Sequence, residues 1–312
     1  MTDAVISVAM PVYNAALYLA EAVRSIQDQT YTRWELIAVD DGSTDGSPAV
    51  LREMASSDPR IRPITRPHAG LAAALNHAVG LANGSLIARM DGDDVALPHR
   101  FALQVEFMEA HPEVLAVGTR ILQVAPDGTE VCEAYDLTDH ESIDAFHLSQ
   151  RGSAIAHPTA MMRRDAVLEV GGYRPEFEPA DDLDLWLRLA ERGRLANLSD
   201  VLLRYRLHDA SLTQRRRQAM CDMTSRAVSH ACARRGLAVP ALRRFEPMAF
   251  PLRPAGHTLW VRMAWRAGRY RSALKLAWSA IRRTPLAPDA WQVLIEAIAA
   301  PVVGPVLNRL GL

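Results

Sequence analysis

In the first 120 residues, short apolar runs alternate with segments of helical spacing, and this order constrains the fold more than any other feature. The runs Val5–Met10, Leu36–Val39 and Leu86–Met90 predict buried strands, whereas Leu17–Asp28 and Leu71–Ala82 repeat apolar residues with the period of a helix. This alternation predicts an α/β fold with a mostly parallel sheet, right-handed crossovers and helices on both faces. In such sheets, ligands bind at the carboxyl ends of the strands.

Length, hydrophobic content and cysteines set the broad class of protein. A chain of 312 residues, 49% hydrophobic and 23% charged, predicts a globular protein of about two domains. It has no uncharged apolar stretch of about 18 residues, so we expect no membrane-spanning helix. Asp3 and the lack of a basic segment before the first apolar run argue against a secretory signal. Three widely spaced cysteines argue against a disulfide framework or a zinc site and favour the reducing cytoplasm.

Charge is unevenly distributed along the chain. The formal net charge is −1, yet residues 214–283 hold sixteen basic side chains and only two acidic ones. We therefore predict an acidic domain over residues 1–213 and a basic helical region over residues 214–312 that meets an anionic partner. Within that region, residues 257–291 predict a helical hairpin that resembles a tetratricopeptide unit but is too short for a free-standing array.

Two interpretations of the basic C-terminal region stay open. Its arginines, together with Trp260, Trp265 and Trp278, are typical of a helix at a membrane surface, which predicts peripheral contact with the inner face of the membrane. Alternatively, the region is a packed helical domain whose arginine stems cover apolar surface. We expect no nucleic-acid partner, because no motif that reads nucleic acid accompanies the charge.

The segment Asp91-Gly92-Asp93-Asp94 follows a predicted strand directly and brings three carboxylates into one short turn. Their mutual repulsion is costly unless a cation is present. Mg²⁺ and Mn²⁺ accept one or two protein carboxylates and complete their shell with phosphate oxygens and water. The segment therefore predicts a metal–diphosphate site, with an ordinary exposed acidic turn as the alternative.

Two further polar segments follow the first two predicted strands. In the segment Pro11–Asn14, Tyr13 can stack on a nucleobase, and Asn14 can either read a polar edge or cap the next helix. In the segment Asp40–Asp45, a carboxylate can accept hydrogen bonds from a base or ribose, and Gly42 lets the backbone turn closely around a ligand. The alternative for that segment is an Asx turn before a helix.

A third acidic group, Asp181-Asp182-Leu183-Asp184, begins a predicted amphipathic helix. Asp181 or Asp182 can cap that helix, or act as a general base on an incoming hydroxyl. Asp184 lies about half a turn further on and is expected to face elsewhere. His208 follows a predicted strand and is either a neutral imidazole ligand or an ordinary surface histidine.

Four motifs in this order resemble the family 2 inverting glycosyltransferases, of the type that builds bacterial cell-surface glycans and exopolysaccharides. The motifs are Val8–Asn14, Val39–Asp45, Met90–Asp94 and Ala180–Leu189. The resemblance covers about residues 4–213 and implies the GT-A fold, a Rossmann-like mixed sheet that binds nucleotide-diphosphate sugars. The C-terminal helical extension lies outside it.

The resemblance implies roles for individual residues of the donor site. Pro11, Tyr13 and Asn14 would bind the nucleotide sugar, with Tyr13 stacked on the base. Asp41 would contact the polar edge of the base, and Asp91 would bind the ribose side.

The resemblance also implies the groups that take part in the chemistry. Asp93 would hold the metal that bridges the diphosphate, and His208 would match the family's C-terminal metal or diphosphate histidine. Asp182 would be the catalytic base. Asp181 stands where the family usually has glutamate, and we place it among the nucleotide-sugar-binding residues. Arg215 is a candidate for closing over the diphosphate, and a solvated basic helix face is its alternative.

The function implied is that of a metal-dependent inverting glycosyltransferase of the EC 2.4 class. It would use Mn²⁺ or Mg²⁺ and move a sugar, expected to come from a uridine-diphosphate donor, to a hydroxyl of a glycan or lipid-linked acceptor. A sugar nucleotidyltransferase of related fold and a non-catalytic helical adaptor with a degenerate transferase domain are the alternatives. A haloacid-dehalogenase-type phosphatase would need a lysine near the site, whereas Lys275 is the only lysine of the chain. A dinucleotide oxidoreductase would need GxGxxG after the first strand.

Overall fold

The computed structural model describes residues 6–207, 217–240 and 256–298. The strands are β1 (Ile6–Val12), β2 (Trp34–Asp40), β3 (Ile61–Thr65), β4 (Leu86–Arg89), β5 (Val95–Ala96), β6 (Val114–Val124), β7 (Glu130–Ala134), β8 (Met161–Arg163) and β9 (Arg194–Arg206). The helices are α1 (Ala16–Gln27), α2 (Ser47–Ser57), α3 (Leu71–Leu81), α4 (Arg100–Ala110), α5 (His140–Leu148), α6 (Arg164–Glu169), α7 (Asp181–Leu189), α8 (Arg217–Arg235), α9 (Gly256–Arg266), α10 (Tyr270–Arg283) and α11 (residues 288–298).

The main sheet runs in the order β3-β2-β1-β4-β8-β6-β9-β5. Its first four strands are parallel, and β8 then pairs with β4 and with β6 in antiparallel fashion. Because β1 lies between β2 and β4, the carboxyl ends of these three strands are neighbours: Val12 is opposite Asp40, and Ala9 is opposite Arg89. The predicted mixed α/β sheet with crossover helices is confirmed.

A continuous apolar core fixes α3 and α7 against the sheet. Ile37 and Ile87 of the sheet, Leu75 of α3, and Leu185 and Trp186 of α7 belong to one buried cluster and have no exposed surface. Burying a side chain of this size contributes roughly 1.5–3 kcal/mol. The first turn of α7, which holds Asp181, is therefore anchored by the helix's own apolar residues.

Several elements differ from the sequence-based expectation in their bounds. The eleven-residue strand β6 gave no clear signal because Thr119 interrupts its apolar pattern, although this side chain is fully buried in the structure. A short 3-10 turn, His157–Thr159, precedes β8, and no sequence signal had indicated it. The strand predicted before His208 is longer than a typical strand: β9 runs from Arg194 to Arg206.

Contacts divide the described residues into two compact units. The first unit comprises residues 6–121, 135–204 and 217–240. In this unit α8 packs on α7 through an apolar cluster that includes Phe177, Leu187 and Val228. The domain boundary predicted between residues 213 and 214 stays a prediction.

The second unit comprises residues 122–134, 205–207 and 256–298. Its core joins β7 to α9 and α10 around the fully buried side chain of Trp260. Gly268, in the left-handed region with a φ of 72°, separates the two helices. Within the described ranges, no helix is both long enough and apolar enough to cross a membrane.

Candidate functional site

The neighbouring carboxyl ends of β1, β2 and β4 bring three of the predicted polar segments to one edge of the sheet. Tyr13 and Asn14 follow β1, Asp41 follows β2, and the acidic turn Asp91–Asp94 follows β4. The register of the parallel strands puts these segments side by side, because β1 pairs with both of its neighbours. This edge is where ligands bind in sheets of this kind.

The acidic turn gathers its three carboxylates closely enough to share one ion. One oxygen each of Asp91, Asp93 and Asp94 lie within 4.8 Å of one another, and Asp94 is buried. Asp91 also forms an ion pair with Arg89. Three hard oxygen donors at this spacing suit Mg²⁺ or Mn²⁺ better than a soft metal. Asp94 was not among the predicted ligands, although it belongs to the same motif.

Asp41 is only 3% exposed and holds the loop before α3. Its carboxylate accepts hydrogen bonds from the backbone N–H groups of Ala69 at 3.1 Å and Gly70 at 2.9 Å, and His68 Nδ1 lies 2.8 Å from Oδ2. Gly42 has a φ of 77°, and a Cβ there would lie 2.9 Å from the backbone nitrogen of His68. This close approach requires glycine.

Tyr13 presents an aromatic ring at this edge. It is 51% exposed and stacks on His68, with ring centroids 4.4 Å apart and an interplanar angle of 25°. Asn14 Oδ1 accepts a hydrogen bond from the backbone N–H of Thr44 at 2.8 Å. Because the N-cap of α1 is Ala15, with no side-chain capping bond, Asn14 ties two loops together rather than capping the helix.

The two carboxylates that begin α7 have unusual proton affinities. Asp181 is buried, and burial, with the nearby charges of Asp182 and Glu178, raises its pKa to about 8. Burial also raises the pKa of Asp182 to about 6, although the backbone N–H of Leu183 and the charge of Arg89 oppose the rise. At neutral pH, Asp181 therefore keeps its proton, whereas Asp182 is mostly ionised and available as a base. Neither caps the helix, because the N-cap is Ala180.

Asp184 has a structural partner instead. Its buried carboxylate forms ion pairs with Arg174 and Arg188, and Arg188 Nη2 lies 2.7 Å from Oδ2. Arg188 also donates to the backbone carbonyls of Val170 at 2.6 Å and Gly172 at 2.7 Å. Asp184 thus helps to hold the chain that leads into α7, whereas its half-turn offset from Asp182 predicted only that it faces elsewhere.

Sequence reasoning missed two residues around Asp182. Arg89, the last residue of β4, is 3% exposed, and its charge lowers the pKa of both Asp181 and Asp182. Tyr135 has a left-handed φ of 67°, and burial and the charge of Asp182 raise its pKa to about 12. An arginine at the end of an apolar strand was the available signal for the first, whereas the sequence held none for the second.

Two predicted site residues, His208 and Arg215, lie outside the described residues. The others are described. Asp93 belongs to the acidic turn, and Pro11, Tyr13, Asn14 and Asp41 lie at the ends of β1 and β2. Arg89 forms an ion pair with Asp91 of the acidic turn, and its charge opposes the rise in pKa that burial causes at Asp181 and Asp182.

Comparison with known proteins gives matches over most of the chain. A family model described as "Glycosyl transferase family 2" matches residues 7–171. The putative glycosyltransferase EpsE of Bacillus subtilis is 36% identical over 258 residues, which is 78% of this chain and 90% of EpsE. The O-antigen biosynthesis glycosyltransferase WbnJ of Escherichia coli is 35% identical over 210 residues, 66% of this chain and 81% of WbnJ.

Solved structures match nearly the whole chain at low identity. S. aureus TarS 1–349 in complex with UDP-GlcNAc has a TM-score of 0.59 and 16% identity, covering 98% of this chain and 92% of TarS 1–349. The mannosyltransferase PcManGT of Pyrobaculum calidifontis, in complex with GDP-Man and Mn²⁺, has a TM-score of 0.54 and 19% identity, covering 96% and 86%. These likenesses confirm the predicted GT-A fold.

Proposed function

This chain belongs to glycosyl transferase family 2 and is a glycosyltransferase of glycan biosynthesis, and we propose that it moves a sugar from a nucleotide-diphosphate donor to an acceptor hydroxyl in an inverting, metal-dependent reaction. The observation that carries the proposal is the pair of carboxylates at the start of α7. Burial raises the pKa of Asp182 to about 6, so this carboxylate is mostly ionised at neutral pH, and the acidic turn after β4 brings together three carboxylates that suit a divalent metal.

The donor site, in this proposal, is the edge formed by β1 and β2. Tyr13, stacked on His68, offers an exposed ring to a nucleobase, and Asp41 fixes His68 in place. A direct contact of Asp41 with the polar edge of the base stays a prediction, as do contacts of Pro11 and Asn14 with the nucleotide. TarS with UDP-GlcNAc and PcManGT with GDP-Man support a nucleotide-diphosphate sugar, and we keep uridine diphosphate as the expected carrier.

The acidic turn would hold the divalent metal. Asp93 is the proposed ligand, with Asp91 and Asp94 close enough to contribute an oxygen each. When bound, Mn²⁺ or Mg²⁺ supplies a Lewis acid that offsets the charge of the departing diphosphate. Asp91 would also meet the ribose side of the donor, and the predicted metal or diphosphate contact of His208 and diphosphate contact of Arg215 remain proposals.

Asp182 acts as the general base in this mechanism. Its ionised carboxylate takes the proton of the acceptor hydroxyl while that oxygen attacks the anomeric carbon from the face opposite the leaving diphosphate, which inverts the configuration. Asp181, which keeps its proton at neutral pH, limits the negative charge beside the base and can donate a hydrogen bond to the nucleotide sugar. The first turn of a helix favours the one negative charge that remains.

Substitution of the base and of the metal ligand tests the proposal. Asp182→Asn should lower nucleoside-diphosphate release in the presence of acceptor by roughly 10²–10⁴-fold. Asp93→Ala should abolish the extra thermal stabilisation that Mn²⁺ gives to the complex with uridine or guanosine diphosphate. Asp165→Asn is the matched control, because this aspartate is exposed on α6. Near wild-type rates in Asp182→Asn would exclude Asp182 as the base.

For the second unit we propose peripheral contact with an anionic membrane at its cytoplasmic face. Trp291, Ile295 and Ile298 are exposed on one side of α11, and on α10 Arg282 lies over the exposed ring of Trp278. Apolar and basic side chains of this kind suit an anionic lipid surface. Binding to vesicles that contain anionic phospholipid at low salt, lost at high salt, is expected. No binding at low salt would reject the contact.

A further inference from the structure

The helix α3 begins at a glycine, so its N-cap residue has no side chain that could accept a hydrogen bond. This residue is Gly70, with a left-handed φ of 95°. The first N–H groups of a helix have no partner within the helix, and a buried N–H group left unpaired is costly. Ala72, in the first turn of α3, is fully buried. Acceptors for this turn must therefore come from other parts of the chain.

Two carboxylates from distant segments supply these acceptors. Asp41, which follows β2, accepts from the backbone N–H of Gly70 at 2.9 Å. Glu178, which precedes α7, accepts from the backbone N–H of Ala72 at 2.7 Å through its Oε1. Hydrogen bonds to an ionised acceptor are roughly twice as strong as neutral ones, and the helix dipole favours negative charge at this end. The start of α3 is thus held between the donor edge and the segment that leads into α7.

Gly70 also makes room for the approach of Glu178. A Cβ at residue 70 would lie 3.0 Å from Oε1 of Glu178 and 3.2 Å from its Oε2, which is closer than ordinary van der Waals contact. The left-handed backbone at this position also favours glycine. The close contact of the Glu178 carboxylate with the start of α3 is therefore built into the residue types on both sides.

One helical turn further along, α3 holds the same segment a second time. Nδ2 of Asn76 donates to the backbone carbonyl of Tyr173 at 2.7 Å, and its Oδ1 accepts from the backbone N–H of Tyr173 at 2.8 Å. Asn76 follows Ala72 by four residues and therefore lies on the same side of the helix. The helix α3 and the segment at residues 173–178 are joined at both ends of that segment.

The connection from Glu178 to the proposed base is short and tightly packed. Ala180, the N-cap of α7, donates its backbone N–H to the carbonyl of Phe177 at 2.7 Å, so the chain turns closely around Glu178. Phe177 and Ala180 are each only 1% exposed. Asp182 is the second residue of α7. A displacement of Glu178 is therefore passed on to Asp182, because no loose loop lies between them.

We propose that Glu178 is a positioning residue of the transfer reaction: its hydrogen bond to Ala72 fixes the start of α7, with Asp182, relative to the loop at residues 68–70. The inference rests on the proposed function, because it takes Asp182 as the base and places the nucleobase beside this loop. Glu178 acts through the backbone of α3, so the proposal needs no contact between Glu178 and the substrate. Without Glu178 the loop keeps its bonds to Asp41, whereas the base loses its fixed position.

The test is the separation of kcat from nucleotide affinity. Glu178→Ala and Glu178→Met, made in parallel so that at least one variant without the acceptor folds, should lower kcat at saturating donor and acceptor by about ten- to a hundredfold, because small misplacements of a reacting group have effects of this size. The Kd of uridine or guanosine diphosphate, measured with Mn²⁺, should stay close to the wild-type value. Glu178→Gln should restore most of kcat, because its amide oxygen can accept the same hydrogen bond.

Glu176→Ala is the matched control. This glutamate is exposed two residues earlier in the chain, and its backbone carbonyl accepts the hydrogen bond from Arg226 at 3.2 Å. Its substitution should leave both kcat and the nucleotide Kd unchanged.

The outcomes separate this inference from the proposed function. A folded Glu178→Ala or Glu178→Met variant with wild-type kcat overturns the role of Glu178, as does an equal loss of kcat in Glu176→Ala or in Glu178→Gln. A parallel loss of kcat and nucleotide affinity also overturns it, because the defect then lies in the donor loop. Near wild-type rates in Asp182→Asn, or a wild type that binds neither nucleotide, instead overturn the proposed function. Loss of kcat at constant Kd, restored by glutamine, supports the inference, because a merely structural role would lower stability without lowering kcat of the folded enzyme.

Discussion

The activity of this enzyme should fall on acidification with a midpoint set by Asp182. Burial raises the pKa of this carboxyl to about 6. A general base works only when deprotonated, so its contribution is present above the pKa and is lost as the pH falls through it. With this pKa, about nine-tenths of Asp182 is ionised at pH 7 and about one-tenth at pH 5. The expected result is an approximately tenfold loss of kcat/KM between pH 7 and pH 5.

The assay is the initial rate of nucleoside-diphosphate release with acceptor present, at low donor concentration and constant ionic strength. Circular dichroism at each pH separates loss of the base from loss of the fold. Asp182→Asn should show a low rate that does not fall further between pH 7 and pH 5. The reasoning is refuted if the folded wild-type enzyme keeps the same kcat/KM at pH 5 and pH 7. It is also refuted if the midpoint of the loss lies near pH 4, the pKa of an ordinary aspartate.

Three further predictions concern residues around the site. Folding raises the pKa of Asp181, so the wild-type Tm should fall as the pH rises from 5 to 8, and Asp181→Asn should lessen that fall. If Tm, measured by fluorimetry, changes equally with pH in the wild type and the variant, the prediction is wrong. Gly42→Ala should lower the free energy of unfolding by about 1–2 kcal/mol and raise the KM for the donor, because the added Cβ would press on the backbone of His68 while residue 42 has a left-handed conformation. An unchanged midpoint of urea unfolding would argue against this. Asp184→Asn should lower the free energy of unfolding by about 3–5 kcal/mol, because the buried Arg188 loses its counter-charge. A loss below about 1 kcal/mol would show that water or other groups replace the Asp184 carboxylate.

Much of the site was predictable because its signals are local. An apolar strand followed at once by Asp91, Asp93 and Asp94 predicts the acidic turn without knowledge of the rest of the chain, and the metal site there stays a prediction. The apolar spacing after Asp181 and Asp182 likewise predicted that these two carboxylates begin a helix. Helical spacing alone predicted that Asp184 faces a different side of α7 from Asp182.

Other features depend on residues distant in the chain. The contact of Asp41 with a ligand stays a prediction, whereas the structure shows that its carboxylate binds the loop at residues 68–70. The apolar pattern of β6 is interrupted by Thr119, which is buried and whose backbone N–H donates to the side-chain hydroxyl of Thr159. No local pattern announces such a partner.

The sequence by itself determined the order of strands and helices, the family motifs and the positions of the acidic segments, because these follow from periodicity and from residues adjacent in the chain. Only the tertiary structure decided the proton affinities of Asp181 and Asp182 and the burial of Arg89. The physical reason is that a pKa depends on desolvation and on charges within a few ångströms in space, and burial and proximity arise only when distant segments pack together.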